Sequence, residues 1–385
     1  MSALTKMRID DFATMKYGKM PPKNVVSDTG YPIYSGYRVT GYAKEFLYKD
    51  PELIVVARGV GGTGDVKISP PEAWITNLSI VLSLSSDIVD KKFLYYRLGR
   101  EPLKAKLNTG AAQAQITIEN LRSYEIDLPD LTSQKRIASI LSTYDDLIEN
   151  NGRRIALLEE AARLLYREWF THFRFPGHEH VKIIDGVPET FEVLELGDFC
   201  KLRGGNAFKM KFQGQKAGDY PFIKVGDMNS AGNSASITEA NNWVSEVEAK
   251  ELKAKAFPSG TIVFAKIGEA LKKNRVRVTV RDTIIDNNMM GAVPDSGFVS
   301  SAFLYYLLSG YDIASHASGA AVPFLTANVL SQIKFAIPNN ALRMDFDSIV
   351  DPIQKQITNL QVQITATARA RDLLLPRLMD GRLEI

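Results

Sequence analysis

The chain carries the same pattern twice, and this repeat limits its possible folds more than any other feature. "KKFLYYRL" at 91–98 returns as "SAFLYYLL" at 301–308. "NTGAAQAQITIENLRSYEIDLP" at 108–129 returns as "ASGAAVPFLTANVLSQIKFAIP" at 317–338, and "LLYRE" at 164–168 as "LLLPR" at 373–377. The offset is 210 at Phe93/Phe303 and 209 at Gly110/Gly319, Pro129/Pro338 and Leu164/Leu373. Upstream, "IDDFATMKYG" (9–18) aligns with "LGDFCKLRGG" (196–205) at offset 187, so the second half carries about 22 extra residues between these anchors. A constant offset over so long a stretch marks a duplicated structural unit. The length of 385 residues also favours more than one domain.

Each copy ends in a segment with helical heptad spacing. In the first, Ile137, Leu141, Tyr144, Ile148, Asn151, Ile155, Leu158, Ala162, Leu165 and Trp169 follow at steps of four and three. That is a coiled-coil seam. The second copy supplies Val350, Ile353, Ile357, Leu360, Ile364, Thr367, Arg371, Leu374 and Leu378. Pro352 is expected to start or kink this second helix and Pro376 to end it. Two seams in one chain can bury one another. Asn151 in the seam costs stability but can fix register.

Ahead of each seam the pattern is mixed α/β. Short runs such as Thr261–Ile262–Val263–Phe264 and Arg277–Val278–Thr279–Val280 read as strands, and short helices are expected near 90–107, 246–255 and 300–315. One loop needs separate treatment. Gly59, Gly61 and Gly64 stand at the G-x-G-x-x-G spacing that cradles a dinucleotide pyrophosphate. That fingerprint must run into a helix. Here Val66–Lys67–Ile68 alternates like a strand, and Pro70–Pro71 forbid a helix. No Lys-Ser or Lys-Thr follows, so the loop is not a P-loop. It reads as a strand-to-strand turn.

Composition is that of an ordinary soluble protein, with a net charge of +3. No apolar run is long enough to span a bilayer, the N-terminus shows no secretory pattern, and Cys200 is the only cysteine. These features lead to the expectation of a cytoplasmic protein without membrane partners. Signs of catalysis are missing: no Asn/Asp-Pro-Pro-Tyr/Phe methyltransferase motif and no P-loop. His178 and His180 flank Glu179, but one H-x-H without further ligands is read as linker, not metal site. Ser318–Gly319 and Thr109–Gly110 are read as helix-end turns rather than nucleophile sites. No cofactor and no metal are expected.

At this point the residues resemble a known family. "LLYREWFTHFRFPGH" (164–178) and "ARDLLLPRLMDGRLEI" (370–385) look like the central and closing signatures of type I restriction–modification specificity (S) subunits. "FAKIGEALKKNR" (264–275) and "SGAAVPFLTANVLSQIKFAIP" (318–338) are similar to stretches of that family's target-recognition domains. The resemblance implies an α+β fold: two mixed α/β target-recognition domains, each followed by a long helix, the two helices pairing as an antiparallel coiled coil. The expected division is 1–131 for the first recognition domain, 132–172 for the central helix, 173–339 for the linker and second recognition domain, and 340–385 for the C-terminal helix. It further implies a non-catalytic subunit that reads a split, asymmetric site in double-stranded DNA. Two methyltransferase subunits dock on it, and restriction subunits join in the full complex. A coiled-coil scaffold without a DNA role, or a self-contained methyltransferase or nuclease, are the alternatives.

For a DNA reader, Lys and Arg supply affinity through phosphates, and side chains at base edges supply sequence choice. Aligning "LIVVARGVGG" (53–62) with "TIVFAKIGEA" (261–270) sets Arg58 opposite Lys266, each just before a loop, so these are the first candidates. Lys16, Lys19, Tyr37, Arg38, Gly61 and Thr63 are added in the first half. Lys209, Lys211, Lys224, Lys272, Lys273, Asn274 and Arg275 are added in the second. The loop glycines would let backbone N–H groups approach phosphate or base.

Overall fold

The computed structural model describes residues 4–59, 62–110, 113–230, 232–319 and 322–383. Gly61 lies outside the described residues. The chain divides into two compact units, Met1–Asp146 with Ala368–Ile385, and Leu147–Thr367. The division cuts across both long helices, because each helix contributes one end to each unit. Among the described residues no helix is long and apolar enough to cross a membrane.

Unit 1 is built on a four-stranded antiparallel sheet in the order Ala13–Tyr17, Ser79–Leu84, Leu53–Val56, Val66–Ile68. Leu53–Val56 is buried along its whole length. A second sheet holds Val26–Ser27, Arg38–Ala43, Tyr31–Ser35 and Trp74–Ile75, the last two running parallel. Thr5–Arg8 pairs with Glu125–Leu128 and leads to the central helix, Leu131–Tyr166. Asp130 caps that helix by accepting from the Ser133 amide at 3.0 Å.

Unit 2 repeats the plan. Its main sheet runs Cys200–Gly204, Met289–Pro294, Ile262–Ala265, Val276–Thr279, with Ser236–Ile237 added at the far edge. Tyr220–Ile223 lies parallel to Ile284–Ile285, as Tyr31–Ser35 lies parallel to Trp74–Ile75 in unit 1. Phe191–Glu195 pairs with Lys334–Pro338 ahead of the C-terminal helix, Asn340–Met379, which Asn339 caps through the Leu342 amide at 3.0 Å. The short helices Lys91–Gly99 and Ser301–Ser309 occupy equivalent places, capped by Asp90 and Ser300.

Within each unit the start of one long helix meets the end of the other, so the pairing is antiparallel. In unit 1, Ile137, Ala138 and Leu141 share a core with Leu378 and Met379, with Leu374 packed at its margin. In unit 2, Ile155, Ala162 and Tyr166 share a core with Phe346, Val350, Ile357 and Leu360, flanked by Leu158, Leu165, Ile353 and Ile364. Asn151 is 1% exposed and donates to Gln363 Oε1 at 3.4 Å. Tyr144 and Ile148 are half-buried. The C-terminal helix continues through Pro352 and past Pro376 to Met379, against the expectation from its prolines. A proline removes one N–H and crowds the preceding turn, and an otherwise well-packed helix of 40 residues absorbs that loss. The central helix closes in a π-helical turn, Arg167–Thr171, which buries the adjacent Trp169 and Phe170 together.

The exposed segment after it contains a 3₁₀ turn, His178–His180. His178 Nδ1 lies 2.8 Å from the Phe175 carbonyl, and both histidines sit beside Glu179.

Candidate nucleic-acid interface

The glycine-rich loop joins two neighbouring antiparallel strands, Leu53–Val56 and Val66–Ile68. Gly64 adopts φ +92 and donates to the Val56 carbonyl at 2.8 Å. A Cβ there would lie 2.7 Å from the Lys104 backbone nitrogen. This glycine therefore answers to packing inside the chain, not to a ligand. Gly59, at φ +141, faces open space.

Both units gather loops at the same edge of the main sheet. A repeated glycine shows how tightly. A Cβ at Gly18 would lie 2.4 Å from the carbonyl oxygens of Ile75 and Thr76. One at Gly205 would lie 2.2 Å from those of Ile285 and Asp286. Both positions admit only hydrogen. The matched loops after the short helices close alike: Thr109 donates to Gln115 and Ser318 to Phe324, each N–H to carbonyl at 3.0 Å. Thr109 and Ser318 each follow the end of a short helical segment, Leu103–Leu107 and Ile313–His316, by two residues.

The strand register corrects one pairing. Val56 lies opposite Ser79, and Ala265 opposite Met289. Arg58 bridges to Gln115, and Ile267 to Phe324. Arg58 is thus the counterpart of Ile267, and Lys266 that of Ala57. A shift of one residue in a strand turns a side chain to the other face. Arg58 and Lys266 therefore do not do the same work in their units.

In unit 1, Tyr37, Arg38 and Arg58 line one cleft of about 240 Å³, with Ser35, Gly36, Thr40, Val56, Gly59, Gly62 and Leu78. Arg58 is half-buried, and its Nη2 donates to the Asn77 carbonyl at 3.4 Å. The Arg38 guanidinium lies 5.8 Å from the centre of the Tyr37 ring. Lys16 and Lys19 are exposed, Lys16 with its ammonium 5.2 Å from the Tyr48 ring. Thr63 does not reach the surface: it is 4% exposed and donates to the carbonyls of Gly59 and Ala114 at 3.1 and 3.3 Å.

In unit 2 the candidates are more scattered. Lys273 and Arg275 share a smaller cleft of about 100 Å³ with Met228, Ala265 and Glu269. Lys272 is ion-paired with Glu269 at 3.2 Å, and Lys211 with Glu251. Lys224 donates to Gln213 Oε1 at 2.5 Å. Lys266 is half-buried beside Gly204, and Lys209 is exposed. Asn274 is a structural residue: at φ +42 it donates to the Tyr311 carbonyl at 2.8 Å. Arg203 and Arg277 are also held internally, by the Lys255 and Ala256 carbonyls and by the Val276 and Met228 carbonyls. Burial lowers the pKa of both guanidinium groups.

Sequence reasoning missed the hairpin Tyr31–Ser35/Arg38–Ala43, whose second strand carries Thr40. The Ser35–Gly36 dipeptide inside a β-branched and aromatic stretch was the available signal. Cys200 is buried in the sheet, and that burial pushes its thiol up to about 12, so it is not poised as a nucleophile.

Comparison with known proteins agrees with this architecture. The type I restriction modification DNA specificity domain matches residues 1–160 and 188–368. The chain belongs to this family. The MjaIX type I restriction enzyme specificity subunit of Methanocaldococcus jannaschii is 29% identical over 322 residues, covering 80% of this chain and 73% of the relative. The MjaVIII specificity subunit of the same organism is 22% identical over 402 residues, covering 98% and 92%. The crystal structure of the S subunit from M. genitalium superposes with a TM-score of 0.68 at 20% identity, covering 98% of this chain and 96% of that one. That likeness shows the two-domain repeat with paired long helices as a shared fold.

Proposed function

We propose that the chain is the non-catalytic DNA-reading subunit of a type I restriction–modification complex, with unit 1 reading one half of a split site and unit 2 the other. The observation that carries this reading is the repeated sheet edge. The same strand ends come together in each unit, and basic side chains without an ion pair among the described residues line the clefts there: Arg38 and Arg58 in one, Lys273 and Arg275 in the other. The loops differ while the scaffold repeats, as two readers of different targets require. The basic groups supply affinity through phosphates, and the loop side chains supply choice of base. Methyl transfer and cleavage then fall to partner subunits, two methyltransferase chains and the restriction chains, in the cytoplasm.

Domain exchange tests this. Residues 1–131 are replaced by the matching segment of a relative, and the methylated sites of the reconstituted methyltransferase complex are mapped. The expected result is a new sequence in one half-site with the other retained. A change in both half-sites, or in neither, would overturn the modular reading.

A further inference from the structure

The hairpin Tyr31–Ser35/Arg38–Ala43 of unit 1 carries exposed apolar side chains at its turn and along its second strand. Tyr37, Val39 and Tyr42 are 45%, 44% and 43% exposed. Its turn is only two residues long, Gly36–Tyr37, with Ser35 paired to Arg38. Gly36 at φ +63 supplies the left-handed residue that such a turn needs to match the strand twist. The register shifts between Ile33 and Tyr34, so Thr40 is an extra residue in the second strand. A bulge of this kind sharpens twist and re-aims neighbouring side chains. Arg38 and Thr40 both line the cleft that holds Arg58.

We propose that this ribbon is the base-reading element of unit 1, entering the DNA major groove with Arg38 pairing to a guanine edge. The inference rests on the DNA-reading function proposed above and names the side chain that specifies. Three observations support it. A two-stranded ribbon is one of the two elements a major groove admits. No carboxylate lines the cleft among the described residues, and neither Arg38 nor Arg58 is engaged by one, so both guanidinium groups are available to an anionic ligand. The Tyr37 ring beside Arg38 orients a planar fork suited to the O6 and N7 acceptors of guanine. Arg58, tied to the Asn77 carbonyl, is held back in the cleft and serves the phosphate side of the contact. Unit 2 has no such tight hairpin among the described residues, its antiparallel pair Tyr220–Ile223 and Trp243–Val244 being joined by a long connection. Its equivalent strand, Tyr220–Ile223, runs directly into the 3₁₀ turn Val225–Asn229. The two half-sites are read by different devices on one scaffold.

The test uses the full chain reconstituted with its methyltransferase subunits and a pool of duplexes randomised across the site. Selected duplexes are sequenced for wild type, Arg38→Ala, Arg38→Lys and Arg58→Ala, with thermal melting as the control for folding. Arg38→Ala should relax one guanine position of one half-site by about tenfold or more and leave the other half-site unchanged. Arg38→Lys should keep part of the guanine preference, because an ammonium still reaches O6 and N7 but lacks the planar fork. Arg58→Ala should weaken all sequences alike. An unaltered site in Arg38→Ala, with all sequences weakened alike or not at all, would make Arg38 at most a phosphate contact and overturn the proposal. If the wild-type complex selects no split site at all, the proposed function itself fails, a result distinct from failure of the variants alone.

Discussion

The two units bury the same positions of the repeat with different chemistry. In unit 2, Tyr166, Trp169, Phe170, Phe303, Tyr306 and Phe346 form one aromatic cluster, with Phe170 5.1 Å and Trp169 6.1 Å from Phe346 between ring centres. The equivalent places in unit 1 hold Leu375, Leu378, Met379, Phe93, Tyr96 and Ile137, four of them aliphatic. Beside Tyr96 and Leu375 unit 1 has a polar cleft of about 310 Å³. There Tyr96 donates to Asp145, which is also ion-paired with Arg371. Unit 2 has Gln354 where Asp145 stands, accepting from Tyr306 at 3.3 Å, and Ala162 where Arg371 stands. Burial first, and then the bond to Asp145, push the Tyr96 hydroxyl well above its ordinary pKa; burial does the same for Tyr306. The repeat thus conserves where helix and domain meet, not how the meeting is made. One joint is an aromatic cluster packed mostly edge to face. The other is a charge pair in a cleft.

The largest expected effect tests the aromatic joint. Phe346 is fully buried, and Phe346→Ala should cost unit 2 about 3–5 kcal/mol. Hydrogen exchange should show protection lost in 147–166 and 340–367 first. Loss of equal size in 131–141 and 374–379 would show that the two joints melt as one. A smaller effect is expected at the charged joint. Asp145→Ala leaves the Tyr96 hydroxyl without its acceptor and Arg371 with Asp372 alone, and should cost about 1–3 kcal/mol. Asp145→Gln installs the unit 2 arrangement, keeps an acceptor for Tyr96, and should recover at least half of that loss in a urea titration. If Asp145→Gln is as damaging as Asp145→Ala, the charge itself holds the joint.

Much of this organisation was legible in the sequence, because the signals involved are periodic. The seam residues from Ile137 to Leu165 and from Ile353 to Leu374 recur at helical spacing, and all are buried or half-buried in the paired helices. The strand register was not legible. Leu53–Val56 and Ile262–Ala265 are buried on both faces, so neither shows the alternation that would mark which residue points where. That ambiguity let Arg58 be set opposite Lys266, one residue out. Thr63 and Asn274 misled for a different reason. A polar side chain in a loop reads as available to a ligand, yet both satisfy backbone carbonyls whose positions depend on the tertiary fold. The hairpin of unit 1 escaped because its turn uses Gly-Tyr, without the Asn-Gly or Asp-Gly pair that announces most two-residue turns. The prolines of the C-terminal helix overstated a local cost that long-range packing outweighs.

The smallest expected effect concerns acid, and it turns on one carboxyl of unit 1. In unit 1, burial alone would raise the pKa of Glu101. Hydrogen bonds from Lys106, Tyr124 and Arg97 outweigh that and hold the carboxyl at about 2. A depressed carboxyl pKa adds stability above the ordinary value near 4.5, and that stability is lost as pH falls from there toward 2. Its place in unit 2 is taken by Tyr311, hydrogen-bonded to His316 at 2.6 Å. Unit 2 instead holds Asp347 half-buried. Burial raises its pKa despite the bond from Ser300, so protonation in acid relieves a cost rather than removing a support. Glu168 and Glu248 of unit 2 are also lowered, but both are surface groups whose pairs are screened by solvent. Unit 1 should therefore loosen first between pH 4.5 and 2, by on the order of 1 kcal/mol, since Lys106 is half exposed and its pair is partly screened. Pepsin digestion across this range reads the order directly, with early cuts expected in unit 1. Glu101→Gln should flatten the acid response while lowering stability near neutrality. A variant as acid-sensitive as wild type would assign the response to other carboxylates and leave the charged joint and the aromatic joint equal in acid.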